Sequence, residues 1–264
     1  MRCAGILLLA VLLCAAQTSE ERGRRLLQQT LEALGGPRFR SMQDRVETGR
    51  AYSFYREELS GLARATIYTH YLKAPDPPSA GALLLRERQS FGNNEDRGAV
   101  LFTGEAGYQI TFRGARPLPP ETLERFREST LHNVFYILRQ RLEEPGLLIE
   151  WRGSDLWEGQ RVEIVEITDA DNRTVTVYLS ASDRLPLRQR YRLRDRKTRQ
   201  PIEEVTVFSK YRDVGGVRWP FVIERERNGE KIFQMYSEQA AINQGLSGNL
   251  FSLPPGIKIL KPLP

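Results

Sequence analysis

Two histidines, and two cysteines confined to the first 14 residues, are the scarce reactive side chains of this 264-residue sequence. His70 falls in a strand-like run and His132 in a helical one. Neither has a neighbour at the spacing that a metal site or a catalytic pair requires. Carboxylates occur as adjacent pairs, Glu57/Glu58, Glu143/Glu144 and Glu203/Glu204, and neighbours in a strand point to opposite faces, so they cannot act on one atom. No G-x-S-x-G elbow, phosphate-binding loop or dinucleotide fingerprint occurs. The expectation is a protein that is not an enzyme and uses no cofactor and no metal.

What the sequence offers instead is apolar surface on a regular frame. Across residues 185–193, Leu185, Leu187, Tyr191 and Leu193 share one face, interrupted by Gln189, while Arg188, Arg190 and Arg192 take the other. Val217, Trp219, Phe221 and Ile223 alternate with Arg218, Pro220, Val222 and Glu224 in the same way. Gly215-Gly216 and Asn228-Gly229 divide residues 202–242 into three runs, the chemistry of tight hairpins in an antiparallel meander. Pro220 donates no ladder hydrogen bond, so its strand should lie at an edge or carry an irregularity.

Further strand-like runs fall at 45–55, 63–72, 81–91, 100–103, 108–112, 147–151, 160–168 and 174–180, and about ten or eleven strands are expected in all. Residues 58–61 and the proline-rich 74–78 should separate the first of them. Two helices interrupt the pattern. The first opens at Thr18 with Glu21 at capping-box spacing, carries Leu27, Leu31 and Leu34 on one face, and stops at Gly35-Gly36-Pro37. The second starts at Pro119-Pro120 and repeats Leu123, Phe126, Thr130, Val134, Ile137 and Leu138 at helical spacing up to Leu142, with Leu131, Phe135 and Tyr136 widening its apolar side. Such a helix suits a lid over an apolar space, and it suits an ordinary core better still. A sheet of this size must curl, and its apolar concave face needs a cover.

Arg2, the apolar run 6–13 and Cys14-Ala15-Ala16 read as a secretory signal peptide over residues 1–16, cut after Ala16. Leu13 stands where a lipoprotein signal needs a small residue before Cys14. Residues 17–264 then form one domain without cysteine, and no later run is apolar for long enough to span a bilayer. Lys+Arg number 39 against Asp+Glu 33, which could attract anionic headgroups or be balanced by glutamates across strands. No basic stripe with interleaved aromatics points to nucleic acid.

The arrangement resembles the LolA-like family of outer-membrane lipoprotein-sorting proteins and periplasmic lipoprotein carriers. Tyr71-Leu72-Lys73-Ala74-Pro75 is similar to a strand-end signature of that family, residues 102–108 to its short hairpin, and residues 249–258 to its ending. The resemblance implies a mainly β fold with helices (α+β), an incomplete antiparallel β-barrel whose helices cover an apolar concave face. It also implies a periplasmic, monomeric binding protein that shelters acyl chains of a lipoprotein or another lipid, with membrane-bound donor and acceptor proteins as partners. The expected cavity wall is Leu185, Leu187, Tyr191, Val207, Trp219, Phe221, Ile223, Phe233 and Met235, and the expected lid is Phe126, Leu131, Val134 and Phe135. One position departs from the family: Ala74 stands where the carriers have an arginine associated with latching the lid, a role that Arg50, Arg64 or Arg113 could take. The alternative is a periplasmic sensor or interaction module that holds a protein partner in envelope signalling, because such regulators carry a similar domain.

Overall fold

Thr18 caps the first helix as its sequence requires, accepting the Glu21 N–H at 3.1 Å while the Glu21 carboxylate takes the Thr18 N–H at 3.0 Å. The computed structural model that contains this cap describes residues 18–76, 79–92, 98–195 and 198–262. The expected signal peptide and both cysteines lie outside the described residues. Helices α1 (Ser19–Ala33) and α2 (Pro37–Arg40) precede strands β1 (Asp44–Tyr55), β2 (Glu58–Tyr71), β3 (Leu85–Phe91), β4 (Gly98–Phe102), β5 (Gly107–Thr111) and β6 (Gly114–Pro117). Then come α3 (Pro120–Leu131), α4 (Val134–Tyr136) and a π-helical turn (Ile137–Arg141). The chain continues through β7 (Leu148–Trp157), β8 (Gln160–Thr168), β9 (Thr174–Ser180), β10 (Pro186–Arg194), β11 (Pro201–Val214), β12 (Val217–Arg227) and β13 (Glu230–Ile242).

All of these strands join one open antiparallel sheet of 13 strands, in the order β6-β5-β4-β3-β2-β1-β13-β12-β11-β10-β9-β8-β7. Two simple meanders, β1 to β6 and β7 to β13, are joined where β13 returns to pair with β1. β6 and β7 are therefore the two outer edges, although they follow each other in the chain. The segment between them has to cross the open side of the curled sheet, and that segment is α3, α4 and the π turn. Topology alone makes it a strap.

Both edges are partly covered, which shortens the unpaired ladders that could otherwise recruit another strand. α1 lies against β7: Ser19 Oγ donates to Trp151 O at 2.6 Å, and Arg24 donates to Leu147 O at 3.1 Å. Gly23 permits this approach, because a Cβ there would lie 2.9 Å from Trp151 N. At the other edge the C-terminal tail bonds to β6, with Ala115 N–H to Lys258 O at 2.9 Å and Leu260 N–H to Ala115 O at 2.8 Å. Gly114, with φ +134, has Lys258 O only 2.2 Å from where a Cβ would stand.

Leu27, Leu31 and Leu34 of the first helix are at most 2% exposed and join Phe39, Leu138, Val165, Ile167, Val177 and Phe208 in the main core. Each such burial contributes about 1.5–3 kcal/mol. On the outer face, arginines meet carboxylates of a neighbouring strand, as Arg192 does with Glu203 at 2.9 Å and Arg152 with Glu166 at 2.5 Å.

The structure corrects three expectations. The sheet has 13 strands, not ten or eleven; β6 has no counterpart among the expected runs, because four residues give alternation little length to register. The separator expected at 58–61 belongs to β2, and the turn is Arg56-Glu57, both at positive φ (49° and 63°) as a two-residue hairpin turn demands. The second helix is not continuous to Leu142. Asn133 is extended (φ −75°, ψ 123°), and its Oδ1 accepts the Phe135 and Tyr136 N–H groups at 2.9 and 3.2 Å, so it caps a new helix. At Pro220 the second alternative holds: its strand is interior, and it carries an irregularity, since β12 pairs with β13 only from Val222 onward. Where the two strands part, the Arg218 N–H bonds to Leu34 O at 3.0 Å instead.

Candidate binding cavity

Between the strap and the concave face lies a cavity of about 210 Å³. Its roof is α3 with the start of α4, which present Phe126, Ser129, Thr130, Asn133, Phe135 and Tyr136. Aromatic contacts hold this roof on both sides. Phe126 stacks on Phe102 of β4 with ring centroids 3.7 Å apart, and Phe135 meets Phe208 edge-on at 4.9 Å and Trp219 at 5.0 Å.

Polar bonds fix the far end. Val134 N–H donates to Gln189 Oε1 of β10 at 2.9 Å. The Arg141 guanidinium, 3% exposed, donates to both oxygens of Glu144 (2.6 and 2.8 Å), to Asp169 (2.7 Å) and to Leu131 O (2.6 Å). Burial works against the Asp169 charge, but bonds from Arg141 and Arg173 outweigh it and hold the carboxyl below its usual range. The Tyr136 hydroxyl donates to Ala82 O at 2.8 Å and accepts from Leu84 N–H at 2.6 Å, and burial pushes its pKa up to about 12. His132 is 2% exposed and stacks on Tyr191 at 4.1 Å. Its Nδ1 lies 2.7 Å from Glu128 O, so that nitrogen carries the proton, and burial lowers the ring's pKa.

The floor differs from the expected apolar wall. Arg45 and Glu47 of β1, Thr69 of β2, and Glu87 and Gln89 of β3 line it beside Ile67, Ile223, Phe233 and Met235. Arg45 bonds to Glu47 and reaches Thr69 Oγ1 at 3.0 Å, with its guanidinium 4.1 Å above the Trp219 ring. Glu47 also accepts from Trp219 Nε1 at 3.2 Å and from Ser237. Gln89 donates to Glu87 at 2.6 Å. Burial opposes the charge on Arg45, but Glu47, with Tyr71 and Glu87 beyond it, raises its pKa above the ordinary value. For Glu87 burial wins, and the carboxyl is pushed up despite Gln89, Arg45 and Thr69. Burial likewise raises Tyr71.

Of the residues expected in the wall, Tyr191, Trp219, Ile223, Phe233 and Met235 line the cavity, as do Phe126 and Phe135 of the lid. The others do not. Leu185 and Phe221 are packed in the main core, with Arg212 4.5 Å from the Phe221 ring, and Leu131 and Val134 are at most 1% exposed inside it. Leu187 is half-buried where β10–β9 pairing skips from Pro186 to Arg188. Val207 pairs with Arg188 and Glu224, and its neighbour Phe208 is the lining residue. Gln189, which looks like an interruption of an apolar face, supports the roof. Arg45, Glu47, Thr69, Glu87 and Gln89 escape a reading that places apolar residues inward. Their signal is the i, i+2 repetition of polar residues in three strands, Arg45/Glu47, Thr69/Tyr71 and Glu87/Gln89, which one pleat brings to one face.

Among the described residues no group of three or more His, Cys, Asp or Glu side chains could hold a metal ion, and no helix is long and apolar enough to cross a membrane. No family model matches the sequence, and no curated protein does. Solved structures do share its shape. A DUF1329 family protein from Desulfovibrio piger superposes with a TM-score of 0.61 at 12% identity, over 89% of this chain and 98% of that one. A putative outer membrane lipoprotein-sorting protein domain from Vibrio parahaemolyticus gives 0.54 at 14% identity, over 88% and 97%. A LolA superfamily protein from Nitrosomonas europaea gives 0.52 at 11% identity, over 90% and 98%. An open antiparallel sheet strapped by helices across its concave side is thus shared with these structures: the chain has a LolA-like fold.

Proposed function

We propose that this is a noncatalytic periplasmic binding protein that shelters an acyl chain of a lipoprotein or another lipid between the strap and the concave face, for transfer towards the outer membrane. The observation that supports this reading is the cavity beneath the strap, walled by Phe126, Phe135, Ile223, Phe233 and Met235. Its volume of about 210 Å³ is below the roughly 300–1,000 Å³ of typical ligand pockets, so a full chain enters only when α3 lifts. The Phe102–Phe126 stack is the apolar latch of that movement, and the Arg141 network is its fixed end. Each sheltered methylene contributes roughly 0.8 kcal/mol, so about ten give roughly 8 kcal/mol before the cost of opening. Release follows when the strap opens again.

The test is native mass spectrometry of protein recovered from the periplasm without detergent, followed by organic extraction. A discrete added mass that extracts as lipid or acylated peptide is expected, and Phe233→Arg, a half-buried wall position, should lose it while export continues. Undiminished lipid on Phe233→Arg overturns the reading.

One surface favours a second reading, a module that holds a protein partner. Leu62 (59% exposed) lies opposite Tyr52 on the outer face of β1–β2, and Tyr236 (46% exposed) meets Tyr52 edge-on at 6.1 Å. A stoichiometric protein partner and no lipid in the same experiment would select it.

A further inference from the structure

Beside the cavity is a second hollow, of about 560 Å³, where the start of β1, the end of β2, α2 and the π turn meet. Its charged lining is Arg40, Lys73 and Arg139 against one carboxylate, Glu143. Glu143 is spent on Arg40, at 3.4 Å across an exposed pair. Lys73 is exposed and has no ion pair among the described residues.

Arg139 is the informative member. Its Nε donates to Met42 O at 2.8 Å and its Nη1 to Gln140 Oε1 at 2.6 Å, and its guanidinium lies 4.9 Å from the Tyr71 ring. These partners are neutral. Burial lowers its pKa, and the repulsion of Arg40 adds to the fall. His70, on the same wall, has a buried Nδ1 without a hydrogen-bond partner. Cations from three separate segments therefore converge on one hollow that holds a single carboxylate, which leaves a net positive field there that favours an anion.

We propose that this hollow binds a phosphate-type oxyanion through Arg139, Lys73 and Arg40. A planar carboxylate is the poorer fit: two of the five Arg139 N–H donors are already committed, and donors reaching from Arg139, Lys73 and Arg40 in separate segments suit a tetrahedral group with several oxygens. Tyr71 lines both this hollow and the inner cavity, so an oxyanion held here lies one side chain away from the space beneath the strap. That the oxyanion is a lipid headgroup rests on the acyl-binding reading, whereas the anion site stands without it.

The test is isothermal titration calorimetry of the purified protein with inorganic phosphate and, separately, with dihexanoyl phosphatidylglycerol. At least one should bind, and Lys73→Gln and Arg139→Gln should each weaken it by about tenfold or more. Tighter binding of the lipid than of phosphate makes the headgroup the source, and equal binding makes it free phosphate. Lys73 is exposed, so its variant reports on the anion site even if Arg139→Gln folds poorly. No heat with either probe, or unchanged affinity in Lys73→Gln and Arg139→Gln, overturns the proposal. Uptake of an uncharged monoacylglycerol, measured in parallel, reads the cavity alone. Loss of that uptake with phosphate binding intact would reject the acyl reading and keep the anion site.

Discussion

Beneath one strap, the two arms of one sheet carry opposite surfaces. β7 to β9 contribute Ile149, Val165, Ile167, Val175, Val177 and Leu179, each at most 2% exposed, while β1 to β3 contribute Arg45, Glu47, Thr69, Glu87 and Gln89. The dry arm is filled by α1, the π turn and their leucines. The wet arm is roofed but not filled, and the cavity lies there. Buried polar groups cost free energy unless each is bonded, so an arm that existed only for stability would have no use for them. The main core thus rests on the dry arm, and the wet arm carries the bonded polar floor of the cavity.

The most severe way to break that contrast is to remove Glu47, which holds Arg45, Trp219 and Ser237 together. Glu47→Ala strands a buried guanidinium and should cost about 3–5 kcal/mol in urea unfolding. Replacing both ions, Arg45→Met with Glu47→Leu, should restore wild-type stability or exceed it by about 1–4 kcal/mol, because it turns the wet arm into a dry one. A double variant no more stable than the single would make the ion pair itself a structural requirement.

A smaller effect sharpens the dry side. Ile167→Val removes one methylene from a site without titrating neighbours and should cost about 0.5–1.5 kcal/mol, equally at every pH where the protein is folded. A marked pH dependence of that loss would contradict a purely apolar arm.

The smallest effect belongs to Glu87. Burial raises its folded pKa, so its favourable contribution is complete below the ordinary carboxylate value of about 4.3 and is lost as pH rises through the folded value. Glu87→Gln imitates the protonated form and keeps an acceptor for Gln89. Its melting temperature should exceed that of wild type at pH 7, and the excess should disappear towards pH 4. A difference that ignores pH would show that Glu87 is not the titrating group.

The sheet, the capped first helix and the hairpins at Gly215-Gly216 and Asn228-Gly229 were legible because period two and turn residues are local signals. The turn at Arg56-Glu57 was not, since neither residue advertises positive φ. The wall was half legible. Trp219, Ile223, Phe233 and Met235 follow from alternation, but β11 is phased by Phe208 rather than by Val207, and a one-residue error of phase exchanges the faces; Leu187 shares the phase of Gln189 and Tyr191 but lies at the register shift between Pro186 and Arg188. The charged floor was hidden because Arg45 and Glu47 flank Val46, and alternation read by hydropathy turns the valine inward.

The join between the arms sets the order in which this chain can fold. β1 pairs with β13, and at that seam Gln43 N–H reaches Asn243 Oδ1 at 2.7 Å across 200 residues of sequence. Each meander can form from neighbouring hairpins as soon as it exists, but the contact in the middle of the sheet closes the longest loop in the molecule. Until residues 230–242 arrive, the inner side of β1 is an open edge, whereas α1, which covers β7, is already made. The last strand to be synthesised is thus the one that turns two half-sheets into a single surface.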